Sequence, residues 1–438
     1  MTQQTGERIG RVAWGKRLLG KITCPNCWHQ FPPEDVLFIA KHGDLRGDPV
    51  LTADDFQRFS PIRFTGKGEA LDPRGVPTTE MACPRCHLRI SDPLLEVPPL
   101  FISVIGSPAS GKSYFLTTMT WQLRALMPKM GLAFSDADPV ANATIHEYEK
   151  TLFMNPQPDR PTEIRKTQQH DPALHKTALV DGVTMRFPLP FQFLLWPTAE
   201  HPNYADAHRV GRVVVLYDNA GEDFLPSIED GASAVVQHLA RSAILFMLFD
   251  PTQEPRLQAM CRKSDPQLAY GLRPDAPMPA VALRQETMLK EAAVRMRRYL
   301  GVSQTARLQK PLIVIVAKFD ILNNLAGTTL AEEPYSGLGE AGSVHLKLAD
   351  VERTSDAIRA VLREHCPEFV ATADSTSEFV RYIPISSFGG SPELVRRGGQ
   401  KFYGIRPKDI RPMWVTVPML YCFCRWGQMV LGSTDRRR

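Results

Sequence analysis

The sequence predicts an α/β protein in which a mostly parallel sheet is flanked by helices, with a small cysteine-containing module at the N-terminus. Three observations support this fold class. From residue 100 onward, short apolar runs alternate with longer helical patterns, as in parallel sheets whose strands are joined by crossover helices. A glycine-rich loop follows the first apolar run and leads into a helical pattern. Two Cys-x-x-Cys pairs lie before residue 97, in a segment with few long apolar runs.

The individual elements follow from the length and periodicity of each run. Short apolar runs predict strands at 100–106, 191–196, 212–218, 243–250, 311–320 and 380–387. Longer periodic patterns predict helices at 112–127, 228–241, 280–300, 346–364 and 412–427. The remaining long stretches, 129–185 and 251–279, are interpreted as excursions from this core.

Composition divides the 438-residue chain into four parts. We expect a basic lead-in at 1–20, a cysteine module at 21–97, a large domain at 98–432 and a basic tail at 433–438. The prolines of EVPPL, at the end of the module, favour a linker because consecutive prolines sustain neither helix nor sheet.

Charge and hydropathy exclude several classes of protein. The net charge of +5 is too small to indicate nucleic-acid binding by itself. The N-terminus lacks an apolar core of signal-peptide length, and the longest apolar runs fall well short of the ~20 residues of a membrane helix. We therefore expect a cytoplasmic protein without a membrane span.

The segment GSPASGKS, residues 106–113, fits the phosphate-binding pattern G-x-x-x-x-G-K-[ST] at every position. Glycines let the backbone approach a ligand, and successive N–H groups at a helix N-terminus cradle phosphates. Lys112 is expected to reach the β- and γ-phosphates, and the Ser113 hydroxyl to bind Mg²⁺. A chance glycine-rich loop is the alternative. The other residues predicted to line this nucleotide site are Gly106, Ser107, Ser110, Gly111 and Tyr114.

Three further segments follow the loop, each at the end of an apolar run. VVVLYDNAGE (213–222) ends in D-x-x-G, IVIVAKFD (313–320) ends in K-x-D, and PISSFGG (384–390) contains two serines. With the loop, these segments resemble P-loop NTPases of the translation-factor-related (TRAFAC) class of GTPases. The resemblance implies that Asp218 reaches Mg²⁺ through a water and that the Gly221 N–H senses the γ-phosphate. A strand-end Asp also meets the general need for a carboxylate near the metal.

The same resemblance implies how the base of GTP or GDP is recognised. Lys318 would pack along the base, and Asp320 would accept hydrogen bonds from the guanine N1–H and 2-amino groups, which adenine lacks. Ser386 and Ser387 would close over the base. The chain has Ala317 where the family usually has Asn or Thr, so a P-loop ATPase or kinase-like protein stays open as an alternative.

Hydrolysis is the least defined part of the resemblance. The stretch 129–185 would hold a switch I threonine, and Thr162 is favoured. Glu222 stands where fast GTPases related to Ras carry Gln, and its charge would face the γ-phosphate. With Lys112, these residues form the predicted catalytic set, and we expect slow hydrolysis that a partner stimulates. Other candidates are Thr144 and Thr167 for the threonine, and Arg160, Arg165 and Arg397 for an arginine finger.

The two C-P-x-C pairs predict a zinc-ribbon module. Each turn directs two thiolates toward one point, and two turns supply the tetrahedral sulfur set that Zn²⁺ prefers. The spacer of 55 residues between the pairs implies an insert. His29 and His87 adjoin the pairs as alternative ligands, and a redox-active pair is a further alternative. The predicted zinc ligands are Cys24, Cys27, Cys83 and Cys86.

A zinc ribbon in front of a GTPase core with long inserts resembles the second group of the bacterial double-GTPase type, from predicted conflict or defence systems. That resemblance implies protein partners, namely a paired GTPase or effectors. A zinc-ribbon adaptor that binds nucleic acid, with the nucleotide core as a scaffold, is the remaining alternative. It lacks support, because residues 21–97 show no clear basic stripe interleaved with aromatic side chains.

Overall fold

The structure is a computed structural model. It describes residues 17–165, 174–219, 234–261, 265, 266, 268, 284–322, 333–337, 344–397 and 400–427.

The N-terminal part is built from very short antiparallel strands. β1 pairs with β2, β5 pairs with β6, and the other four form a sheet in the order β4-β3-β7-β8. The bounds are β1 Ile22–Thr23, β2 Gln30–Phe31, β3 Leu37–Ile39, β4 Arg58–Phe59, β5 Ala70–Leu71, β6 Pro77–Thr78, β7 Met81–Ala82 and β8 Arg89–Ile90.

The larger part of the chain contains a seven-stranded sheet. The described strands are β9 Pro99–Gly106, β10 Leu132–Asp136, β11 His175–Val180, β12 Val183–Pro188, β13 Phe191–Pro197, β14 Arg212–Asp218, β15 Ile244–Phe249, β16 Leu312–Val316, β17 Tyr335–Ser336, β18 His345–Leu346, β19 Val380–Pro384, β20 Glu393–Arg397 and β21 Gln400–Gly404. The sheet has the order β10-β13-β14-β9-β15-β16-β19, and β11–β12, β17–β18 and β20–β21 form separate antiparallel pairs.

Within this sheet, β13 is antiparallel to both of its neighbours, and all other adjacent pairs are parallel. The strands β15 and β16, ILFMLF and LIVIV, are buried at every residue. Such continuous apolar strands are typical of a parallel sheet that is covered on both faces.

The described helices cover the sheet and link its strands. Helix α1 begins after Gly111, whose φ of 92° is in the left-handed region that favours glycine. The bounds are α1 Lys112–Leu126, α2 Ala143–Phe153, α3 Ala207–Val210, α4 Ala234–Arg241, α5 Pro255–Gln258, α6 Gln285–Leu300, α7 Leu348–His365, α8 Pro367–Thr376 and α9 Val417–Arg425. None of these helices combines the length and apolar character needed to cross a membrane.

The prediction of a mixed α/β fold with a mostly parallel sheet is confirmed. All six predicted strands exist and join the central sheet. The described residues of 129–185 are more than an excursion from the core, because they include strand β10 at the edge of the central sheet, helix α2, and strand β11, which pairs with β12. The predicted helix at 412–427 begins only at Val417, since Met413 forms a β-bridge with Ser386.

Two large hydrophobic clusters lie on either face of β14. Val214 and Leu216 belong to the main core between the sheet and its helices. Val213, Val215 and Tyr217 point to the other face, where they pack with the cysteine module and the β11–β12 hairpin. The N-terminal module and the sheet therefore share one hydrophobic cluster.

Candidate nucleotide site and cysteine cluster

The sequence motifs meet at one edge of the central sheet. Strands β14, β9, β15, β16 and β19 run parallel, so their carboxyl ends lie along the same edge. The chain leaves β9 and places β14 on one side of it and β15 on the other. A reversal of strand order of this kind opens a crevice at the carboxyl edge, where open α/β sheets bind ligands.

The loop between β9 and α1 has little room for larger side chains. A Cβ atom on Gly106 would lie 3.0 Å from Ser110 Oγ and 3.1 Å from Leu248 Cβ. Lys112 is buried and donates from Nζ to the carbonyl oxygens of Gly106 at 2.8 Å and Ser107 at 3.0 Å. The lysine therefore folds back over the loop that precedes it.

Two hydroxyl groups of this loop are buried without a described hydrogen-bond partner. They are the Oγ atoms of Ser107 and Ser110, whose residues are 2% and 1% exposed. A buried hydroxyl without a partner is costly unless a ligand or water supplies one. The cradle therefore suits an oxyanion such as phosphate.

Ser113 and Asp218 meet across the β9–β14 pair. The Ser113 hydroxyl donates to Asp218 Oδ2 at 2.7 Å, and Asp218 lies opposite Val104 in the register of the two strands. The next residue, Asn219, donates from its amide to the Val104 carbonyl at 2.8 Å and so fixes the exit of the chain from β14. A hydroxyl beside a carboxylate is a suitable oxygen pair for Mg²⁺. The predicted Gly221 and Glu222 lie outside the described residues.

Lys318 lies against the phosphate-binding loop from the opposite side. It adopts a left-handed φ of 52°, and its Nζ reaches the Ala109 carbonyl at 3.3 Å. The same amine forms an ion pair of 2.6 Å with Asp250, which is fully buried at the end of β15. Sequence reasoning missed Asp250, although it follows an apolar run just as Asp218 does. Ala317 is 4% exposed and donates its N–H to Phe249 O.

Asp320 and Ser386 are in direct contact. The Ser386 hydroxyl donates to Asp320 Oδ1 at 2.5 Å and accepts the Gly389 N–H at 2.8 Å. Because the backbone N–H occupies the acceptor side of the hydroxyl, its proton points to the carboxylate. Ser387, the other predicted serine, is half-buried beside this pair.

Thr162 lies in a segment tied to the C-terminal part of the chain. Its backbone exchanges two hydrogen bonds of 3.0 Å with Ile405. Nearby, the Tyr114 hydroxyl accepts the Ile164 N–H at 3.1 Å, and the Tyr114 ring packs edge-on against Phe388 at 4.9 Å. Tyr114 thus links the first turn of α1 to this segment. Of the other candidates, Thr144 is buried in α2, and Thr167 lies outside the described residues.

The four predicted cysteines form one buried cluster. Their Sγ atoms all lie within 4.8 Å of one another, with Cys24 and Cys86 separated by 3.8 Å and Cys27 and Cys83 by 3.6 Å. Tetrahedral Zn–S bonds of about 2.3 Å place sulfur atoms about 3.8 Å apart. The donor set and its spacing therefore fit a tetrahedral zinc ion.

The two cysteine turns have the same backbone geometry. Each second cysteine is followed by a residue with a left-handed φ, 55° at Trp28 and 57° at His87. In each turn that residue donates its N–H to the first cysteine's carbonyl at 3.0 Å. Neither histidine is a member of the cluster. His87 contacts the Asp48 carboxylate at 2.9 Å instead, and His29 stacks on Phe31.

The protonation of the cysteines also favours a bound cation. Burial raises the pKa of the Cys24 thiol well above its usual value, whereas hydrogen bonds from the neighbouring thiols lower the pKa of Cys83. Four thiolates confined this closely repel one another, so they cannot all be ionised without a compensating charge. A divalent metal ion supplies that charge.

The first cysteine turn touches β14 directly. Trp28 Nε1 donates to the Tyr217 hydroxyl at 3.0 Å, and that hydroxyl donates to the Pro25 carbonyl at 2.5 Å. A cleft of about 500 Å³ adjoins this contact, between the first cysteine turn and helices α4 and α6. Arg85 and Arg241 are among the residues that line it.

Comparison with known proteins gives a distant relative in sequence and several likenesses in structure, one of which is described below. No protein-family model matches the chain. The chain is 26% identical over 245 residues to the "Putative ESX-1 scaffolding and assembly protein SaeC" of Mycolicibacterium smegmatis. The match covers 52% of this chain and 57% of the relative, so the chain spans little more than half the relative's length.

A solved structure of translation elongation factor SelB from Methanococcus maripaludis, in complex with the GTP analogue GppNHp, aligns with 67% of this chain and 31% of that chain at 10% identity. Its TM-score is 0.21, which is too low to carry an inference about this protein.

Proposed function

We propose that the chain is a P-loop GTPase that binds GTP and GDP with Mg²⁺, hydrolyses GTP slowly and acts as a molecular switch. The observation that supports this most is the convergence at one sheet edge of the phosphate-binding loop, Asp218, Lys318, Asp320 and Ser386. These residues come from strands far apart in sequence, and each has the chemistry that one part of a guanine nucleotide requires.

The phosphates would bind the loop of residues 106–113. The buried hydroxyls of Ser107 and Ser110 and the amine of Lys112 would contact the phosphates inside this loop. Lys112 supplies a positive charge, and the N-terminus of α1 adds its N–H groups. Ser113 and Asp218 would hold Mg²⁺, which neutralises charge on the phosphates during transfer.

The base would lie between Lys318 and Asp320. The ion pair with Asp250 and the contact with Ala109 hold the Lys318 stem against the phosphate-binding loop. Ser386 orients Asp320 so that the carboxylate can accept from the N1–H and 2-amino groups of guanine. Adenine offers no such pair of donors, so this contact favours GTP over ATP. Gly221, Ser387 and Tyr114 complete the proposed site.

The proposal of slow hydrolysis is based on the residues expected around the γ-phosphate. Lys112 would stabilise negative charge, and Glu222 would have to orient water despite its own negative charge beside the phosphate. Thr162 would need to reach Mg²⁺ from a segment that is paired with Ile405. A partner that supplies positive charge would accelerate such a site.

The zinc-ribbon module at 21–97 would dock a protein partner. We propose that its four cysteines bind Zn²⁺ and that the protein lies in a reducing compartment such as the cytoplasm, where thiols are kept from forming disulfides. The distant relative is named as a scaffolding and assembly protein, which supports a role in protein assemblies. The cleft beside Trp28, with Arg85 and Arg241 in its lining, is the proposed contact surface. A place in a bacterial conflict system remains a hypothesis.

Nucleotide binding by the full-length protein tests this function. We expect GTP and GDP to bind with Mg²⁺ more tightly than ATP, and Lys112→Ala to weaken all of them by about tenfold or more, because it removes a buried charge at the phosphates. Isothermal titration measures these affinities, with Lys129→Ala as the matched control outside the site. Equal binding by Lys112→Ala and the unmodified protein would show that the loop is not the phosphate site.

A P-loop ATPase is the second candidate, and one observation favours it. Ala317 is buried where the family's Asn or Thr side chain would brace the base site, so it offers no polar side chain there. Tighter binding of ATP than of GTP in the same titration would select this candidate.

A further inference from the structure

We propose that Tyr217 is a positioning residue for Asp218, and that the first cysteine turn holds Tyr217 in place. The inference rests on the proposed function, because it concerns the Mg²⁺ contact assigned there to Asp218. It links the cysteine cluster and the nucleotide site through a continuous set of contacts.

The first step is the alternation of side chains along β14. Neighbouring residues of a strand point to opposite faces of a sheet. Asp218 points toward the loop side, where it receives the Ser113 hydroxyl, and Tyr217 belongs to the cluster that contains the cysteine module. A shift of the Tyr217 side chain therefore moves the backbone that carries Asp218.

The second step is how firmly Tyr217 is held. The residue is 1% exposed, and its hydroxyl both donates to Pro25 O and accepts from Trp28 Nε1. Its ring stacks on His238 with the ring centres 4.7 Å apart and an angle of 13° between the planes. A buried hydroxyl with both hydrogen bonds made has one preferred position.

The third step concerns His238, which lies in α4. Its Nδ1 atom is 2.8 Å from the hydroxyl of Ser103 on β9. Tyr217 immediately precedes the D-x-x-G segment, and α4 is the next described element after it. His238 thus joins the Tyr217 ring on β14 to the Ser103 hydroxyl on the neighbouring strand β9.

The fourth step is the dependence of this arrangement on the cysteine turn. Trp28 has its left-handed φ because the turn closes by the hydrogen bond from its N–H to Cys24 O. The Trp28 ring lies 5.9 Å from the Tyr217 ring and 6.2 Å from His238. If the turn opens, the indole leaves the Tyr217 hydroxyl, so the closed cluster favours the position of Asp218 seen here. By linkage, a ligand at Asp218 also changes the environment of Trp28.

The test removes only the Tyr217 hydroxyl from the full-length, zinc-loaded protein. Mg²⁺ is expected to tighten GDP binding, and the titration gives the Mg²⁺ concentration that produces half of this effect. For Tyr217→Phe we expect this concentration to rise by about five- to tenfold. GDP affinity without Mg²⁺ and the zinc content should stay unchanged. Tyr382→Phe is the matched control, since it removes a buried hydroxyl from edge strand β19 of the same sheet.

A second readout uses Trp28 as a reporter. The difference in emission between the unmodified protein and Trp28→Phe should change when Mg²⁺ and GDP are added, and the change should be lost in Tyr217→Phe. An unchanged Mg²⁺ requirement in Tyr217→Phe overturns the inference. If that variant fails to fold, the Trp28 emission of the unmodified protein is the deciding measurement. No change of this emission on addition of Mg²⁺ and GDP overturns the inference. If the unmodified protein binds no nucleotide, it is the proposed function that fails.

Discussion

Replacing Asp320 by Asn tests the proposed recognition of guanine most directly. The substitution keeps the size of the side chain and exchanges one carboxylate oxygen for an amide nitrogen. Ser386 donates to Oδ1 of Asp320 at 2.5 Å, so the remaining oxygen of the amide is expected to keep this partner. The amide NH₂ then faces the N1–H and 2-amino groups of guanine. Because all of these groups are hydrogen-bond donors, no hydrogen bond forms between them.

The expected loss follows from the hydrogen bonds removed. A hydrogen bond to a charged group contributes about 1.5–3 kcal/mol net, and guanine offers two donors to the carboxylate. Losing one bond outright and weakening the other gives about 3 kcal/mol, or roughly a 150-fold weaker affinity. ATP should be affected little, because adenine offers no donor pair to this carboxylate. Xanthosine triphosphate, with a carbonyl in place of the 2-amino group, should gain affinity.

Isothermal titration with Mg²⁺ and each of the three nucleotides measures these changes. Ser386→Ala serves as a graded comparison, since it removes one donor to Asp320 but keeps the carboxylate. We expect a loss of GTP affinity of about tenfold or less from it. A fall of GTP and ATP affinity by the same factor in Asp320→Asn would refute the reasoning, because it would place Asp320 away from the base.

Two further predictions concern the cysteine cluster and the neighbouring histidine. Cys83→Ser should lower bound zinc below one ion per chain by metal analysis, because a hydroxyl is a poor zinc ligand, whereas Cys261→Ser, a buried thiol outside the cluster, should leave it unchanged. Burial lowers the pKa of His238 to about 3, so the folded protein keeps this imidazole neutral while the unfolded chain takes up a proton below about pH 6.5. Stability must therefore fall as the pH falls toward 3, and between pH 7 and pH 5 the unmodified protein should lose about 2 kcal/mol more unfolding free energy than His238→Phe in urea denaturation. Equal losses in the two proteins would contradict the neutral, buried state of His238.

The strands of the central sheet could be predicted because most of them are buried on both faces. Such strands are continuous apolar runs, and β15 and β16 have no exposed residue. The sequence predicts the end of β16 too late, at 320, because Ala317 and Phe319 on either side of Lys318 prolong the apolar pattern. The strand ends at Val316, and the chain then turns through the left-handed Lys318. The residue types around Lys318 do not indicate a turn.

Strand β10 and helix α8 are not predicted because their local sequences are ambiguous. Strand β10, LAFSD, alternates between buried and exposed residues at the sheet edge and is only five residues long. Helix α8 begins at Pro367, which suits a first helical turn but equally suits a loop. Both depend on contacts with distant parts of the chain, and a single sequence does not contain those contacts.

The predicted site residues divide in the same way. Motif spacing placed Ser113, Asp218, Asp320 and Ser386 in the candidate site, and the structure brings them together in two hydrogen-bonded pairs. Asp250 could not be predicted because its role depends on the ion pair with Lys318. That ion pair forms only because β15 lies next to β16 in the sheet. An Asp after an apolar run has no such meaning until the strand order is known.

The contact between Trp28 and Tyr217 shows the limit of reading a chain in separate modules. The two residues are 189 positions apart, and the sequence predicts a proline-containing linker between the parts of the chain that carry them. The run VVVLY already indicated that both faces of β14 are covered. One face lies against the main core, so the other needed a cover that the crossover helices do not supply. The cysteine module is that cover, and a module that completes the core beside Asp218 is in a position to respond to what binds there.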